Sequence, residues 1–365
     1  MTPTSQTASN AAVARTANIV GLGLIGGSVA QALRASGFTV YGTDIDMARQ
    51  AKAIETGIIH HAGLLPDASI SFVCTSAGVA VDALRDTLAK TSGIVTDVCS
   101  VKAAVCAPFA ADPRFVGGHP MAGSEQEGLD GARADMFAGT TWVLTPTLAT
   151  PDATFAFVRS IVAKFGAEVI SLPPDRHDAL VAVVSHVPHL VAAGLMSVAD
   201  GRADEHAALL QLAAGGFRDM TRIASGHPAI WPDICEQNRD AIVSGLDSLV
   251  AELTAVRDIV ATTDRAALVL RLERARDARR NLPPRVATLG DLAEVRIPIP
   301  DRPGMLAEIT TLASRLGVSI ADIEIMHSAE GNKGVCMVLI DATAVELYRG
   351  GLIALGYSPS AQRLG

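Results

Sequence analysis

Three glycines in Gly21-Leu-Gly23-Leu-Ile-Gly26 follow an apolar run and open a stretch of helical periodicity, a spacing that can hold a phosphate. Gly21 suits a tight turn, Gly23 lets the backbone approach a pyrophosphate, and Gly26 lets helix and strand pack closely. The amides of Leu24 and Ile25 then fall in the unpaired first turn of the helix, where the dipole also favours an anion. Asp44 lies 18 residues beyond Gly26, at the end of the next apolar run, placed to accept hydrogen bonds from ribose hydroxyls. A ribose 2′-phosphate about 4 Å from that carboxylate would meet repulsion on the order of 4 kcal/mol at an effective dielectric near 20. Ile45, Asp46 and Met47 follow, with no arginine among them to offset it. NAD is therefore expected in preference to NADP.

Three further segments gather polar groups. Asp97-Val-Cys-Ser100-Val-Lys102 ends an apolar run, and strand ends of an open parallel sheet face the ligand crevice. Gly117-Gly-His119-Pro-Met-Ala-Gly123-Ser124-Glu125 follows another, with glycines on both sides of the histidine, as suits a loop close to a ligand. The third is dispersed: Ser185-His186-Val-Pro-His189, then Arg218 and Arg222 one helical turn apart, then Trp231. His186 and His189 share the spacing of a metal pair, but no third ligand stands near them in sequence, so no metal is expected. No chemistry is assigned to His177 or His227.

The elements that must position these residues read as follows. Apolar runs at 18–22, 39–43, 70–74, 93–97 and 115–117 alternate with amphipathic stretches, which implies right-handed βαβ units and a parallel, doubly wound sheet; 142–145 and 168–171 complete it. After Pro173-Pro174 the pattern turns to 3.6-residue stripes, as in Ile242, Leu246, Leu249, Val250 and Leu253, an all-helical region. From 292 onward the order is β-α-β-β-α-β. The division is a tail at 1–16, a nucleotide domain at 17–172, an all-helical domain at 173–281, a linker at 282–291 and an α+β domain at 292–365.

Composition narrows the class. The 365 residues are 49% hydrophobic and 19% charged, enough to build large cores, and the net charge of −8 disfavours nucleic-acid or anionic membrane surfaces. Five dispersed cysteines contain no CxxC pair, which fits reduced cytoplasmic thiols. The apolar stretch at 179–199 includes Ser185, His186, Pro188 and His189, which suits a buried helix better than a bilayer span.

Taken together, GLGLIGGS, DVCSVK, GGHPMAGSE, LPPDRHDALVAVVSHVPH, GGFRDMTRIASGHPAIW and IPDRPGML resemble the prephenate/arogenate dehydrogenase family, in the family's order, over about residues 18–240 with the C-terminal unit beyond. The resemblance implies NAD-dependent oxidative decarboxylation of prephenate to 4-hydroxyphenylpyruvate, or of arogenate to tyrosine. A hydride leaves the ring carbon that bears the hydroxyl while the ring carboxyl departs as CO₂. By the same resemblance His119 takes up the hydroxyl proton and Ser100 bridges His119, substrate and nicotinamide. Arg222 grips a substrate carboxylate, and His189 binds substrate from the second domain. Ser124, Glu125 and Trp231 line or gate the pocket, with Arg218 beside Arg222. Cys99 stands where the family commonly has glycine, and a left-handed backbone there would cost roughly 1 kcal/mol.

Asp301, Gly304, Met305 and Leu306 resemble the turn of an ACT domain, which implies side-by-side pairing of two chains and tyrosine as an effector, or a purely structural dimerisation unit. Two other classes compete with the enzyme. A regulator that binds nucleotide without catalysis has no reason to retain Ser100, His119, His189 and Arg222 together. A β-hydroxyacid dehydrogenase would usually place a catalytic lysine in the helical domain, and residues 165–290 contain no lysine.

Overall fold

The computed structural model describes residues 15–123, 126, 128–203, 212–281, 292–300, 302–327 and 333–363. The expected tail (save Arg15 and Thr16) and linker lie outside these residues, as do Ser124, Glu125 and Asp301. The chain forms two compact units, Met1–Ala261 and Thr262–Gly365.

The first unit opens with β1 (Thr16–Val20), α1 (Leu24–Ala35), β2 (Thr39–Thr43), α2 (Met47–Glu55), β3 (His61–Ala62), β4 (Ile70–Val73), α3 (Ala77–Lys90) and β5 (Ile94–Asp97). It continues with α4 (Ala103–Cys106), β6 (Phe115–Pro120), β7 (Thr141–Thr145), α5 (Asp152–Lys164) and β8 (Glu168–Ser171). These strands form one sheet in the order β3-β2-β1-β4-β5-β6-β7-β8. Neighbouring side chains on a strand feed opposite cores. Phe72 and Val116 join α1 and α5 in one cluster, while Val73 and Phe115 join α3 and α4 in another. Burial on both faces explains why the strands read as continuous apolar runs.

The parallel expectation holds from β1 to β6 and fails beyond it. β7 runs antiparallel to β6, with β8 parallel to β7. Among the described residues the connection from β6 to β7 contains a short 3₁₀ turn at Gly128–Gly131 and no crossover helix, and such a chain returns antiparallel. This pairing also lengthens β6 past the expected 115–117: His119 lies opposite Val143 and Pro120 opposite Trp142. His119 therefore sits in a strand, not in the loop after it.

A long helix follows, α6 (Pro174–Val181) running through a π-helical turn at Ala182–His186 into α7 (Val187–Ala203). π turns of this kind recur at functional sites. By length and composition Pro174–Arg202 could cross a membrane; 28% of that apolar stretch is buried within the unit. The expectation of a buried helix holds for the face with His177 and His186, which are buried and hydrogen-bonded, and not for Val183, Val184 and Val198, which are exposed. α8 (Gly215–Thr221), α9 (Trp231–Gln237) and α10 (Arg239–Ala261) complete the unit. Of the expected stripe on α10, Ile242 is buried and Leu246 packs on the second core, whereas Val250 and Leu253 are exposed.

The second unit comprises α11 (Arg265–Arg280), β9 (Leu292–Pro300), α12 (Met305–Arg315), β10 (Ile320–His327), β11 (Lys333–Asp341), α13 (Val345–Ala354) and β12 (Ser360–Arg363). Its four strands form an antiparallel sheet in the order β10-β11-β9-β12. Val295, Ile297, Ile309, Val338, Tyr348 and Leu352 build its core.

Candidate active site

The glycine turn is built by contact distances. Gly21 adopts φ +93°, and a Cβ there would also lie 2.6 Å from the Cys74 carbonyl oxygen. A Cβ on Gly26 would sit 1.9 Å from the Gly21 carbonyl oxygen, so the start of α1 rests directly on the turn. Gly23 differs: a Cβ there would meet nothing within 4 Å, and the residue caps α1 without a side-chain partner. The first-turn amides, those of Leu24 and Ile25 among them, thus open onto space fit for a pyrophosphate. Gly21, Gly23, Asp44 and Thr75 line a cavity of about 560 Å³. The Thr75 hydroxyl is buried with no hydrogen-bond partner, an orphaned polar atom where a bound ribose or amide would satisfy it. These residues fit a dinucleotide. Thr75 escaped the sequence reading, although its position just past β4 was a usable signal.

Asp44 is almost wholly buried and occupied on several sides. It accepts from the Leu22 amide at 2.7 Å and the Asp46 amide at 2.9 Å, and Arg49 Nη1 lies 3.3 Å from both its oxygens. Asp46 caps α2, and the first turn of that helix carries Arg49 back onto Asp44. An arginine does therefore offset part of the charge, and the discrimination against a 2′-phosphate is smaller than Asp44 alone would give.

At the carboxyl ends of β5 and β6 the chain is held by a buried ion pair. Lys102 Nζ binds Asp97 Oδ2 and donates to the Gly118 carbonyl oxygen at 2.7 Å. Asp97 also accepts from the Cys99 amide at 2.9 Å and the Gly118 amide at 3.1 Å. Burial works to lower the Lys102 pKa, yet the Asp97 carboxylate more than reverses this, and it stands raised. Ser100, half-buried, lies between these anchors. Cys99 carries no strain: among the described residues only Thr263 combines a side chain with positive φ. Gly118 is small for a structural reason, not to admit a ligand, since a Cβ there would lie 2.7 Å from the Asp97 carbonyl oxygen.

His119 is 8% exposed. Burial, then His177, Lys102 and His186, hold its pKa well below 6.5, so the imidazole is neutral. Its Nδ1 lies 2.8 Å from His177 Nε2, and His177 Nδ1 lies 2.8 Å from Asp178 Oδ1. Asp178 further accepts from the amides of Lys102 at 2.7 Å and Ala103 at 2.8 Å, tying α6 to the β5–α4 connection. His177 and Asp178 were absent from the sequence-derived site; nothing local marks a contact across 58 residues.

The other expected residues lie on the helical side. His189 stacks on Trp231, with ring centroids 3.7 Å apart at 15°, and His186 meets the same indole at 87°. His186 Nδ1 pairs with Asn238 Nδ2 at 3.2 Å, and burial pushes its pKa down to about 4. Arg222 shares a cavity of about 550 Å³ with Gly123, Gln126, Arg133 and Gly226. The end of the His119 segment and the arginine thus face one space. Gly226 adjoins His189, whose Cε1 would lie 3.5 Å from a Cβ there. Arg218 is not drawn in: it is exposed and donates to the Ala213 carbonyl oxygen at 3.1 Å. In the second unit Gly304 takes φ +91° before α12, Met305 is buried and Leu306 exposed.

Comparison with known proteins agrees with this geometry. Two family profiles match in succession: "Prephenate dehydrogenase, nucleotide-binding domain" over residues 29–171, and "Prephenate dehydrogenase, dimerization domain" over residues 173–274. A prephenate dehydrogenase of Bacillus subtilis is 32% identical over 338 residues, covering 88% of this chain and 90% of that protein. The crystal structure of Aquifex aeolicus prephenate dehydrogenase with hydroxyphenyl propionate and NAD+ superposes with a TM-score of 0.69 at 28% identity, covering 74% of this chain and 98% of that one. Synechocystis arogenate dehydrogenase gives 0.65 at 32% identity, covering 72% and 98%. With a strand-turn-helix nucleotide site leading into a buried histidine, and two profiles spanning most of its length, the chain belongs to the prephenate dehydrogenase family.

Proposed function

We propose that this protein is an NAD-dependent dehydrogenase that converts prephenate to 4-hydroxyphenylpyruvate, with arogenate as the alternative substrate. The observation that carries the reading is the neutral, buried imidazole of His119 at the end of β6. When bound, NAD supplies the hydride acceptor. Gly21, Gly23, Gly26 and the amides of Leu24 and Ile25 would hold its pyrophosphate, and Asp44 a ribose.

His119 Nε2 takes the proton of the ring hydroxyl as hydride leaves the same carbon; when the ring carboxyl departs as CO₂, the electrons of its C–C bond aromatise the ring and the phenolate oxygen takes that proton back. Aromatisation drives the step, so the protein chiefly orients the ring and accepts the proton. Ser100 hydrogen-bonds the same hydroxyl. Arg222 grips a carboxylate of the substrate as a bidentate fork. The His189–Trp231 stack forms the wall beside it. Ser124 and Glu125 are proposed to line the same pocket.

We further infer that residues 17–172 serve the nucleotide, 173–281 the substrate and a homodimer, and 292–365 form a ferredoxin-like ACT domain that binds tyrosine through Asp301, Gly304, Met305 and Leu306. The antiparallel β10-β11-β9-β12 sheet and the left-handed Gly304 support this reading. The exposed Val183, Val250 and Leu253 support a homodimer through the helices. A cytoplasmic location is in keeping with the free thiols.

The test mixes the protein with NAD and either prephenate or arogenate and follows NADH absorbance. Turnover with at least one is expected. Folded, NAD-binding protein that turns over neither contradicts the assignment, and an unchanged rate and Tm with tyrosine would remove the sensing role.

A further inference from the structure

We propose that His177, anchored by Asp178, is a positioning residue for His119: it fixes the imidazole in the tautomer that leaves Nε2 free to accept a proton. The inference rests on the functional reading above for its kinetic consequence, but its structural part stands without it.

The hydrogen-bond chain itself dictates the tautomers. The Asp178 carboxylate can only accept, and it already takes the Lys102 and Ala103 amides. Facing it at 2.8 Å, His177 Nδ1 must carry a proton and donate. We take His177 to carry that one ring proton alone, so its Nε2 is bare and can only accept. The atom 2.8 Å away, His119 Nδ1, must therefore be the protonated nitrogen. In a neutral imidazole that leaves His119 Nε2 as the lone-pair nitrogen. The two rings stand at 71°, with centroids 5.0 Å apart. His177 is fully buried and bonded to His119, through which it is proposed to act.

The chain also holds charge. When His119 Nε2 takes up the hydroxyl proton, its Nδ1–H stays bonded to His177 and no second proton moves. The positive charge then faces His177 and, beyond it, the Asp178 carboxylate. In the serine-protease triad a carboxylate orients its histidine in the same manner, and loss of the correct tautomer there lowers kcat about 10⁴-fold.

Two measurements test the proposal. The first uses the intact chain labelled with ¹⁵N-histidine, with the His119 signals assigned from their absence in His119→Asn. A protonated Nδ1 and a bare Nε2 are expected at pH 7. A proton on His119 Nε2 would overturn the inference whatever the substrate proves to be. The second compares His177→Leu with His177→Gln, whose Oε1 can stand where Nε2 accepts. His177→Leu should lower kcat by ~10²-fold, with KM and NAD affinity within about threefold. His177→Gln should recover most of that loss. If both variants keep wild-type kcat, or lose it equally along with KM, His177 only packs the core and the proposal falls. A wild-type protein inactive on prephenate and arogenate refutes the functional reading, yet leaves the tautomer measurement in force.

Discussion

On the proposed reading His119 serves proton transfer and Arg222 anchoring, so their substitutions should separate in the kinetics. His119→Asn removes the acceptor nitrogen from a buried site and should lower kcat by about 10²–10⁴-fold with NAD affinity unchanged. Titration of NAD by fluorescence beside steady-state rates checks both halves. Arg222→Ala deletes a charge-assisted contact made equally in ground and transition states; it should raise KM by the equivalent of about 1.5–3 kcal/mol with kcat largely retained. An unchanged KM would remove Arg222 from the carboxylate role. At this scale the sequence was informative wherever chemistry was local. Ser100 and His119 stood out as candidates because each lies at or just beyond the end of an apolar run. The hydrogen bond from His119 to His177 was invisible because folding, not spacing, brings residues 58 positions apart together.

The strand-turn-helix at β1–α1 allows a test in which binding and folding come apart. Gly23→Ala places a methyl in open space beside the first turn of α1, so Tm should hold while NAD binding weakens at least tenfold. Gly26→Ala places one 1.9 Å from the Gly21 carbonyl oxygen and should destabilise the fold itself. Calorimetric titration with NAD, paired with thermal melts of each variant, distinguishes the two. The turn was legible from sequence because its geometry depends on six consecutive residues. The reversal of β7 was not, since a short 3₁₀ turn has no periodic pattern that would tell it from a crossover in sequence. Nor was the contact of Arg49 with Asp44: it follows from the Asp46 cap that starts α2, and Arg49 lies two residues beyond Met47. The π turn before α7 has no sequence pattern of its own, yet it lies in the segment that carries His186 and leads to His189.

For the whole molecule, buried neutral histidines make folding depend on acid. His119 and His186 are both held below the ordinary value of 6.5, His186 at about 4. Above pH 6.5 folded and unfolded chains are alike in leaving these two uncharged. Below it the unfolded chain binds protons that the folded one refuses, so stability falls with pH by about 1.4 kcal/mol per unit per histidine, until the folded pKa is reached. Denaturant melts at pH 7 and pH 5 should show the loss, and His186→Asn should shrink it. Equal stability at both values would mean that these rings are not neutral in the fold. The central claim is that one neutral imidazole accepts the proton of the substrate hydroxyl. A crystal structure of the protein with NAD and 4-hydroxyphenylpyruvate tests it most directly. His119 Nε2 should lie about 2.6–3.2 Å from the phenolic oxygen. An imidazole turned away, with another side chain bonded to that oxygen, would contradict the account.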